Sequence, residues 1–365
     1  MIYYKHRGTN HEDEQVGCAI SELAGRTLAF KRVSSFDEVE DDGVVADIFR
    51  IYNPEKEHYD HHQDFLTRED GYPYASAGLM WKHYGRNAIK NIIAEDLSDK
   101  WIEEIHKMVD ENFIKGVDAC DADPDYQLNA SCSAGPVKVL STAAMTILMN
   151  EDDTDSEQQE EMFETNVVNY KRLLKKLILN AHGFLKDKER FYQEIVIDNG
   201  VAIFENSIRW KKLVYEHNKA KENKIYFVIM PSLRPENKYV MFSVPIYPGS
   251  RKLIYPIERP DWFSGFIHNG KWIAGGDSLD NLFDLADYSY EQNKRKTLEI
   301  DRAKRLEDSM KYFTNIDSDF LKVIDKVDIV DEFDSVHVDS ERFKQCVKDF
   351  HEARNKIYEF LNIEK

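Results

Sequence analysis

Strand-like and helix-like segments alternate along the first 150 residues, and this restricts the fold more than any other property of the chain. "MIYYKH" has the β-branched and aromatic character of a strand and runs into a turn at Arg7-Gly8-Thr9-Asn10. A helix is predicted from Asp13, where Val16, Ala19, Ile20 and Leu23 fall on one face. "TLAFKRV" reads as a second strand. "DGVVADIFRIYN" reads as a third, because its unbroken apolar run suits a strand covered on both faces. "ASAGLMWKHYG" and "DKWIEEIHKMVDENFIKGVD" read as helices, the first ending at Gly85. Such alternation predicts an α/β layer with a largely parallel sheet over residues 1–150.

The remainder changes character twice. "NEDDTDSEQQEE" (150–161) is acidic and poor in apolar residues, which suits a solvated connection or a helix start, and a hinge falls there or near 195–200. A helical pattern runs from Met162 to about Glu194. Strands at "KIYFVIMPS" and "YVMFSVPI" and a glycine-rich stretch, "GFIHNGKWIAGGDS", then form a smaller α/β domain, so that 151–290 holds connecting helices plus a second domain. Residues 291–365 are highly charged with helical spacing and read as an appended helical extension. A chain of 365 residues accommodates this, at roughly 150 residues per domain.

Composition narrows the function. With 42% hydrophobic and 12% aromatic residues the chain can build a core, yet its longest apolar stretches fall short of the roughly 20 residues that span a bilayer. The N-terminus lacks the apolar region of a secretory signal. Cys18, Cys120, Cys132 and Cys346 show no metal-finger spacing, as expected of free thiols in a reducing compartment. The expectation is a soluble cytoplasmic protein. A net charge of −18 argues against a protein that coats duplex nucleic acid, since its surface repels phosphate. It leaves room for a phosphate ester in a cleft whose sign is reversed by bound divalent cations.

Four clusters carry the chemistry. They are His6, His11 and Asp13 around the first turn; Asp47 closing "GVVADIF"; Asp60-His61-His62; and Asp118 with Asp121 in "FIKGVDACD". Three of them follow a predicted strand, and ligands of parallel sheets bind at the carboxyl ends of strands. A lone histidine such as His58 reads as a solvated loop residue, and Asp47 alone could simply end a strand. Together the clusters point to a metal site. Imidazole mixed with carboxylate, without thiolate, disfavours structural zinc and favours Mn²⁺, Fe²⁺, Co²⁺ or Mg²⁺. The donors outnumber the needs of one ion and suit two ions about 3.5–4 Å apart, a device for hydrolysing phosphate esters or anhydrides.

In this order the clusters resemble the DHH phosphoesterase superfamily, and more closely its melanocyte-proliferating-gene exonuclease branch, formerly labelled metal-dependent protein hydrolase. That branch opens on His-x-Gly-Thr-x-His-x-Asp-Glu, here His6 through Glu14. "VVADIFRIYNPEKEHYDHHQ", "YASAGLMWKHYG", "NFIKGVDACDAD" and "SRKLIYPIERPDWFSGFIHNGKWIAGG" match its further signatures over roughly residues 2–290. Phe49-Arg50 stand in place of a glycine pair, Asn53 in place of an aspartate, and Ala122-Asp123 in place of Asn-Gly. The resemblance implies a two-domain DHH-type phosphoesterase fold, with metal ligands at His6, His11, Asp13, Asp47, His61 and Asp118, Asp121 being the alternative to Asp118. Asp47 would bridge both ions, Asp60 would orient a neighbouring histidine, and His62 would face substrate. Arg251, Lys252 and His268 would meet phosphate oxygens, with backbone approach allowed by a turn at Gly275-Gly276.

The implied function is a divalent-metal phosphodiesterase with two Mn²⁺ per site (Mg²⁺ or Co²⁺ as alternatives), acting as an exonuclease on single-stranded RNA or DNA. Two rivals remain: hydrolysis of dinucleotides, nucleoside bisphosphates or pyrophosphate, and a non-catalytic interaction protein. The helical extension offers a surface for a protein partner or an identical subunit.

Overall fold

The structure, a computed structural model, describes residues 1–26, 29–40, 42–63, 66–122 and 141–324. It divides the chain into two compact units, Met1–Arg190 and Phe191–Lys365. Each contains a sheet and helices, so the chain is α/β as its alternation predicts.

In the first unit, β1 (Ile2–Lys5), β2 (Ala29–Arg32), β3 (Val44–Ala46), β4 (Tyr52–Asn53) and β5 (His58–Tyr59) form one sheet in the order β2-β1-β3-β5-β4. β1 runs parallel to β2 and β3, and β3 parallel to β5; only the edge strand β4 is antiparallel. Burial on both faces explains the apolar sequence. Tyr3, Val44, Ala46 and Tyr59 enter the main core, while Tyr4 and Val45 pack with Val33 in a smaller one.

The single strand expected over "DGVVADIFRIYN" is two. The chain turns after Ala46 through Asp47, Phe49 and Arg50, whose φ angles are 58°, 75° and 57°, and returns as β4. Apolarity hides this turn because Ile48 and Phe49 pack against the Tyr4, Val33 and Val45 cluster. The buried Asp60 carboxylate holds the turn by accepting the Arg50 N–H at 2.7 Å. The positions where the resembled family has a glycine pair therefore keep a glycine-like backbone while carrying Phe and Arg. His58, expected in a solvated loop, lies buried in β5.

Helices cover this sheet: α1 (Glu12–Leu23), α2 (Ser76–Ile92), α3 (Asp99–Val109), α4 (Lys115–Ala122), α5 (Thr142–Leu148) and α6 (Glu157–Glu194). α2 continues past Gly85, where the sequence suggested a stop. A Cβ there would lie 2.7 Å from the Trp81 ring and 2.8 Å from the His106 ring, so this glycine serves close helix packing rather than termination. The helix expected from residue 99 onward is interrupted by a π turn, Asp110–Ile114, between α3 and α4. α6 begins inside the acidic run. Its residues Phe163, Val167, Tyr170, Leu174, Ile178, Ala181 and Leu185 recur at helical spacing and enter the first core. The first unit therefore extends to Arg190, whereas the sequence reading divided the chain after residue 150.

The second unit holds β6 (Val196–Asp198), β7 (Val201–Ile203), β8 (Phe227–Pro231), β9 (Tyr239–Ser243), β10 (Phe266–Ile267) and β11 (Ile273–Gly276), with α7 (Trp210–Ala220) and α8 (Leu279–Ile324). Its sheet order is β10-β11-β9-β8-β7-β6, with only β7 and β8 parallel. α8 buries Leu282, Leu285 and Ala286 against this sheet. The helix expected to begin near 291 as an appendage thus starts earlier, as a core element of the second unit. Residues 325–365 of the expected extension lie outside the described residues, as do Cys132 and Cys346; Cys18 and Cys120 are buried. Among the described residues no helix is long and apolar enough to cross a membrane.

Candidate metal centre

Strand register brings the first three clusters together. Tyr4 pairs with Val45, and Ala46 with Tyr59, across three adjacent parallel strands. The residues that follow these strand ends, His6, Asp47 and Asp60, therefore emerge at one carboxyl edge.

Asp47 is the centre of the arrangement. One of its oxygens lies 3.7 Å from His6 Nε2 and 3.9 Å from His11 Nδ1; the other lies 3.3 Å from His61 Nε2 and 3.6 Å from His62 Nδ1. His61 Nε2 is also 3.0 Å from Asp121 Oδ2. Three sets of donor atoms converge within 4.8 Å: His6, His11 and Asp47; Asp13, Asp47, His61 and Asp121; and Asp47, Asp60, His61 and His62. Asp47 is common to all three.

The donor set fits divalent cations, and its unmet bonding shows it. Asp47 Oδ1, His61 Nε2, His6 Nε2 and Glu14 Oε2 are buried without a hydrogen-bond partner among the described residues, despite their short separations. Such distances without hydrogen-bond angles mean that these atoms point at a common space rather than at each other. His6 Nδ1 donates to the Arg7 carbonyl at 2.8 Å, so in the neutral ring the lone pair falls on Nε2, toward the cluster. Burial opposes charging His61, yet Asp121, Asp47 and Asp13 outweigh it and push its pKa up to about 11. Burial raises the Asp13 pKa well above the carboxylate range, and Asp121 and Asp47 raise it further. Protons held among crowded carboxylates are what a dication would displace.

The supports are equally specific. Both oxygens of Asp13 accept N–H groups at the start of α2, from Ser76 at 3.0 Å and Ala77 at 2.6 Å. This aims the carboxylate with the helix's positive end. Asp60 accepts the backbone N–H of His62 at 2.9 Å and a hydrogen bond from its Nδ1 at 2.8 Å. Burial would raise its pKa, but those bonds and the one from Arg50 lower it. The side chain of His62 is 50% exposed and turns its Nε2 away from Asp60. This is the geometry of an orienting carboxylate with an outward-facing histidine.

Asp118 is the sequence-derived candidate that the structure sets apart. It is fully buried, accepts the Gly78 N–H at 2.8 Å and pairs with Arg68 Nη2 at 2.6 Å. Burial pushes its pKa up to about 7 while Arg68 pulls against it. Paired with a buried guanidinium, Asp118 stands outside every convergent set, and Asp121, one turn later on the same face of α4, joins instead. A Cβ on Gly78 would fall 1.8 Å from Asp118 Oδ2, which explains the glycine in "SAGL".

Sequence reasoning passed over two contributors. Glu14 is fully buried; its Oε1 accepts the His11 N–H at 3.1 Å, and its Oε2 sits 3.4 Å from His6 Nε2. Its place three residues after His11, where a capping-box carboxylate belongs, was the available signal. Arg68 grips Asp110, Asp118 and the Pro73 carbonyl, and nothing in the sequence announces it. A cavity of about 90 Å³ adjoins the cluster, with His11, Asp13 and Asp121 on one side and Val117, Ala143 and Ile147 on the other.

The remaining candidates lie in the second unit. Arg251 and Lys252 are exposed. His268 sits in the turn between β10 and β11, where its Nδ1 accepts the Gly270 N–H at 2.9 Å. Gly275 and Gly276 form no turn: they are in β11, paired with Val240 and Tyr239. The close packing at Gly275 is with the Asn237 side chain, which a Cβ would meet at 2.7 Å.

Sequence comparison with known proteins identifies the family. The chain is 24% identical to the mouse (Mus musculus) MYG1 exonuclease over 327 residues, covering 77% of this chain and 82% of that protein. It is 26% identical to a MYG1 protein of Saccharomyces cerevisiae over 332 residues, 78% and 94% of the two chains. It is 31% identical to a Dictyostelium discoideum MYG1 protein over 144 residues, 35% and 43%. A solved pGpG-specific phosphodiesterase overlaps 80% of this chain and 97% of its own at 13% identity, but its TM-score of 0.21 is too low to indicate a shared fold. The profile of MYG1_exonuc, described as uncharacterised protein family UPF0160, matches residues 3–262, and the chain belongs to this MYG1 exonuclease family.

Proposed function

We propose that this chain is a divalent-metal-dependent exonuclease that removes terminal nucleotides from single-stranded RNA or DNA, with Mn²⁺ as its metal. The observation that carries the reading is the sharing of Asp47 among all three convergent donor sets. His6, His11 and Asp47 would hold one ion; Asp13, Asp47, His61 and Asp121 would hold the other. Such a pair, when bound, activates water near neutral pH and offsets charge on the phosphate. The names of the mammalian relatives supply the exonuclease class.

The protein's own groups have distinct tasks. Asp60 fixes His62 through Nδ1 and turns Nε2 outward, where it is a proton acceptor in the neutral ring and would donate to a phosphate oxygen only from the imidazolium. α2 and Glu14 hold Asp13 and the His6–His11 turn in place, so the ligands need no reorganisation on binding. Arg251, Lys252 and His268 would contact phosphate oxygens. Because His268 Nδ1 accepts a backbone N–H, its Nε2 is left as a donor.

The test is nucleotide release from 5′-labelled single-stranded RNA and DNA, with and without Mn²⁺, beside Asp47→Asn, with dinucleotides as competitors. Stepwise shortening that needs Mn²⁺ and is lost in the variant is expected. Cleavage of dinucleotides without shortening of oligomers would replace the exonuclease reading with a small-molecule one. No hydrolysis by metal-loaded protein would sink both.

A further inference from the structure

The turn that carries His6 and His11 is held from outside by the acidic run, whose composition suits a solvated connection or a helix start. Between the two histidines, Asn10 is buried. Its N–H donates to Asn150 Oδ1 at 2.6 Å, and its carbonyl accepts from Asn150 Nδ2 at 3.1 Å. One side-chain amide thus pairs with both backbone groups of one residue, as a neighbouring strand would. The Asn10 side chain is held as well: its Oδ1 accepts from Lys5 Nζ at 3.2 Å and Arg32 Nη2 at 3.1 Å, and its Nδ2 donates to the Gln159 carbonyl at 3.2 Å.

Asn150 is itself fixed. Its Nδ2 also lies 3.2 Å from the Thr146 and Ile147 carbonyls at the end of α5, and its Oδ1 accepts from Gln159, which is fully buried. Gln159 Oε1 in turn accepts the Glu151 N–H at 2.8 Å. Arg32 adds a second fastening by donating to the Gly8 carbonyl at 2.8 Å and the Thr154 carbonyl at 2.5 Å. The Arg7–Asp155 pair, at 3.4 Å, is exposed on both sides, so solvent screens it strongly.

We infer that Asn150 is a positioning residue for the metal centre: its amide fixes the Asn10 peptide and thereby sets His6 and His11 at their spacing from Asp47. This rests on the reading of those histidines as ligands. Glu14 holds the same turn from α1, through the His11 N–H, but no other described side chain bonds both the N–H and the carbonyl of Asn10. Without the Asn150 amide, a buried N–H and a buried carbonyl lose their partners, and the turn between two ligands gains freedom that metal binding must then remove.

The test is calorimetric titration of metal-stripped full-length protein with MnCl₂, alongside melts of the metal-free protein followed by circular dichroism. Asn150→Ala should weaken Mn²⁺ binding by about 10-fold, the scale seen when groups behind metal ligands are lost. Asn150→Asp keeps the acceptor for the Asn10 N–H but not the donor to its carbonyl. It should fall between alanine and wild type, and it keeps the question answerable if the alanine variant does not fold. Asp155→Ala removes only the exposed pair and should bind as wild type. Folded Asn150 variants with wild-type affinity would overturn the inference, as would an Asp155→Ala loss equal to that of Asn150→Ala. His11→Ala separates the two levels. If it too leaves binding intact, the ligand reading itself fails; if it weakens binding while the Asn150 variants do not, only this inference falls.

Discussion

At Asp47 the chemistry and the backbone make separate demands that meet in one side chain, and the same scale explains the proton balance of the centre. Because His61 is pushed up to about 11 by its carboxylate neighbours, the metal-free cluster carries that proton at neutral pH. An entering cation must displace it, so Mn²⁺ affinity should rise with pH across the neutral range, by about tenfold per unit for each proton released. Titrations in buffers of different ionisation enthalpy would count those protons; an affinity flat in pH would contradict the assignment of His61. Arg50 gives a second prediction. It is exposed and left-handed at φ 57°, a conformation that costs a side-chain-bearing residue about 1–2 kcal/mol, so Arg50→Gly should raise stability by roughly 1 kcal/mol in a denaturant melt. The convergence of His6, His11, Asp13, Asp47 and His61 was largely legible at this scale, because residue type and strand-end position favour it. The choice between Asp118 and Asp121 was not, since Arg68, distant in sequence, commits Asp118 elsewhere.

Elements were legible where periodicity is local. β1, α1 and the helical run ending near Glu194 stand where their patterns place them. The failures share one cause, contact between residues far apart in sequence. Gly85 looks like a helix stop until α3 is seen against it, with the His106 ring stacked on Trp81 at 5.0 Å. The turn after β3 looks like strand because the pockets beneath it accept Ile48 and Phe49. Gly85→Ala should therefore destabilise by about 1–3 kcal/mol through overpacking, against the slight gain an exposed helical site would show. A thermal melt of the metal-free protein gives the sign, and stabilisation would mean that α2 and α3 have room to spare.

For the whole molecule, the alternation of the first 150 residues gave the fold class, but the division into units needed the packing of α6 and α8. α8 is one helix whose first turns belong to the second core and whose Asn293 donates to the Pro256 carbonyl at 2.8 Å. Ending the chain after Ile300 keeps these contacts and serves as the reference. Ending it after Tyr290 removes Asn293 and the Lys296–Glu258 pair and should cost about 2 kcal/mol. Equal melts would mean that the helix is dispensable from residue 291, as its charged composition first suggested. The left-handed backbone at Asp47 has a consequence for how far chains of this kind can diverge. The conformation admits Gly, Asn and Asp with least strain, whereas a carboxylate shared between two cations requires Asp or Glu. Those two sets overlap in a single amino acid. Under the proposed two-cation reading, position 47 therefore has no neutral neighbour in sequence space, and drift around it must proceed through residues such as Phe49 and Arg50, which bear the strained turn and whose side chains lie outside the donor sets.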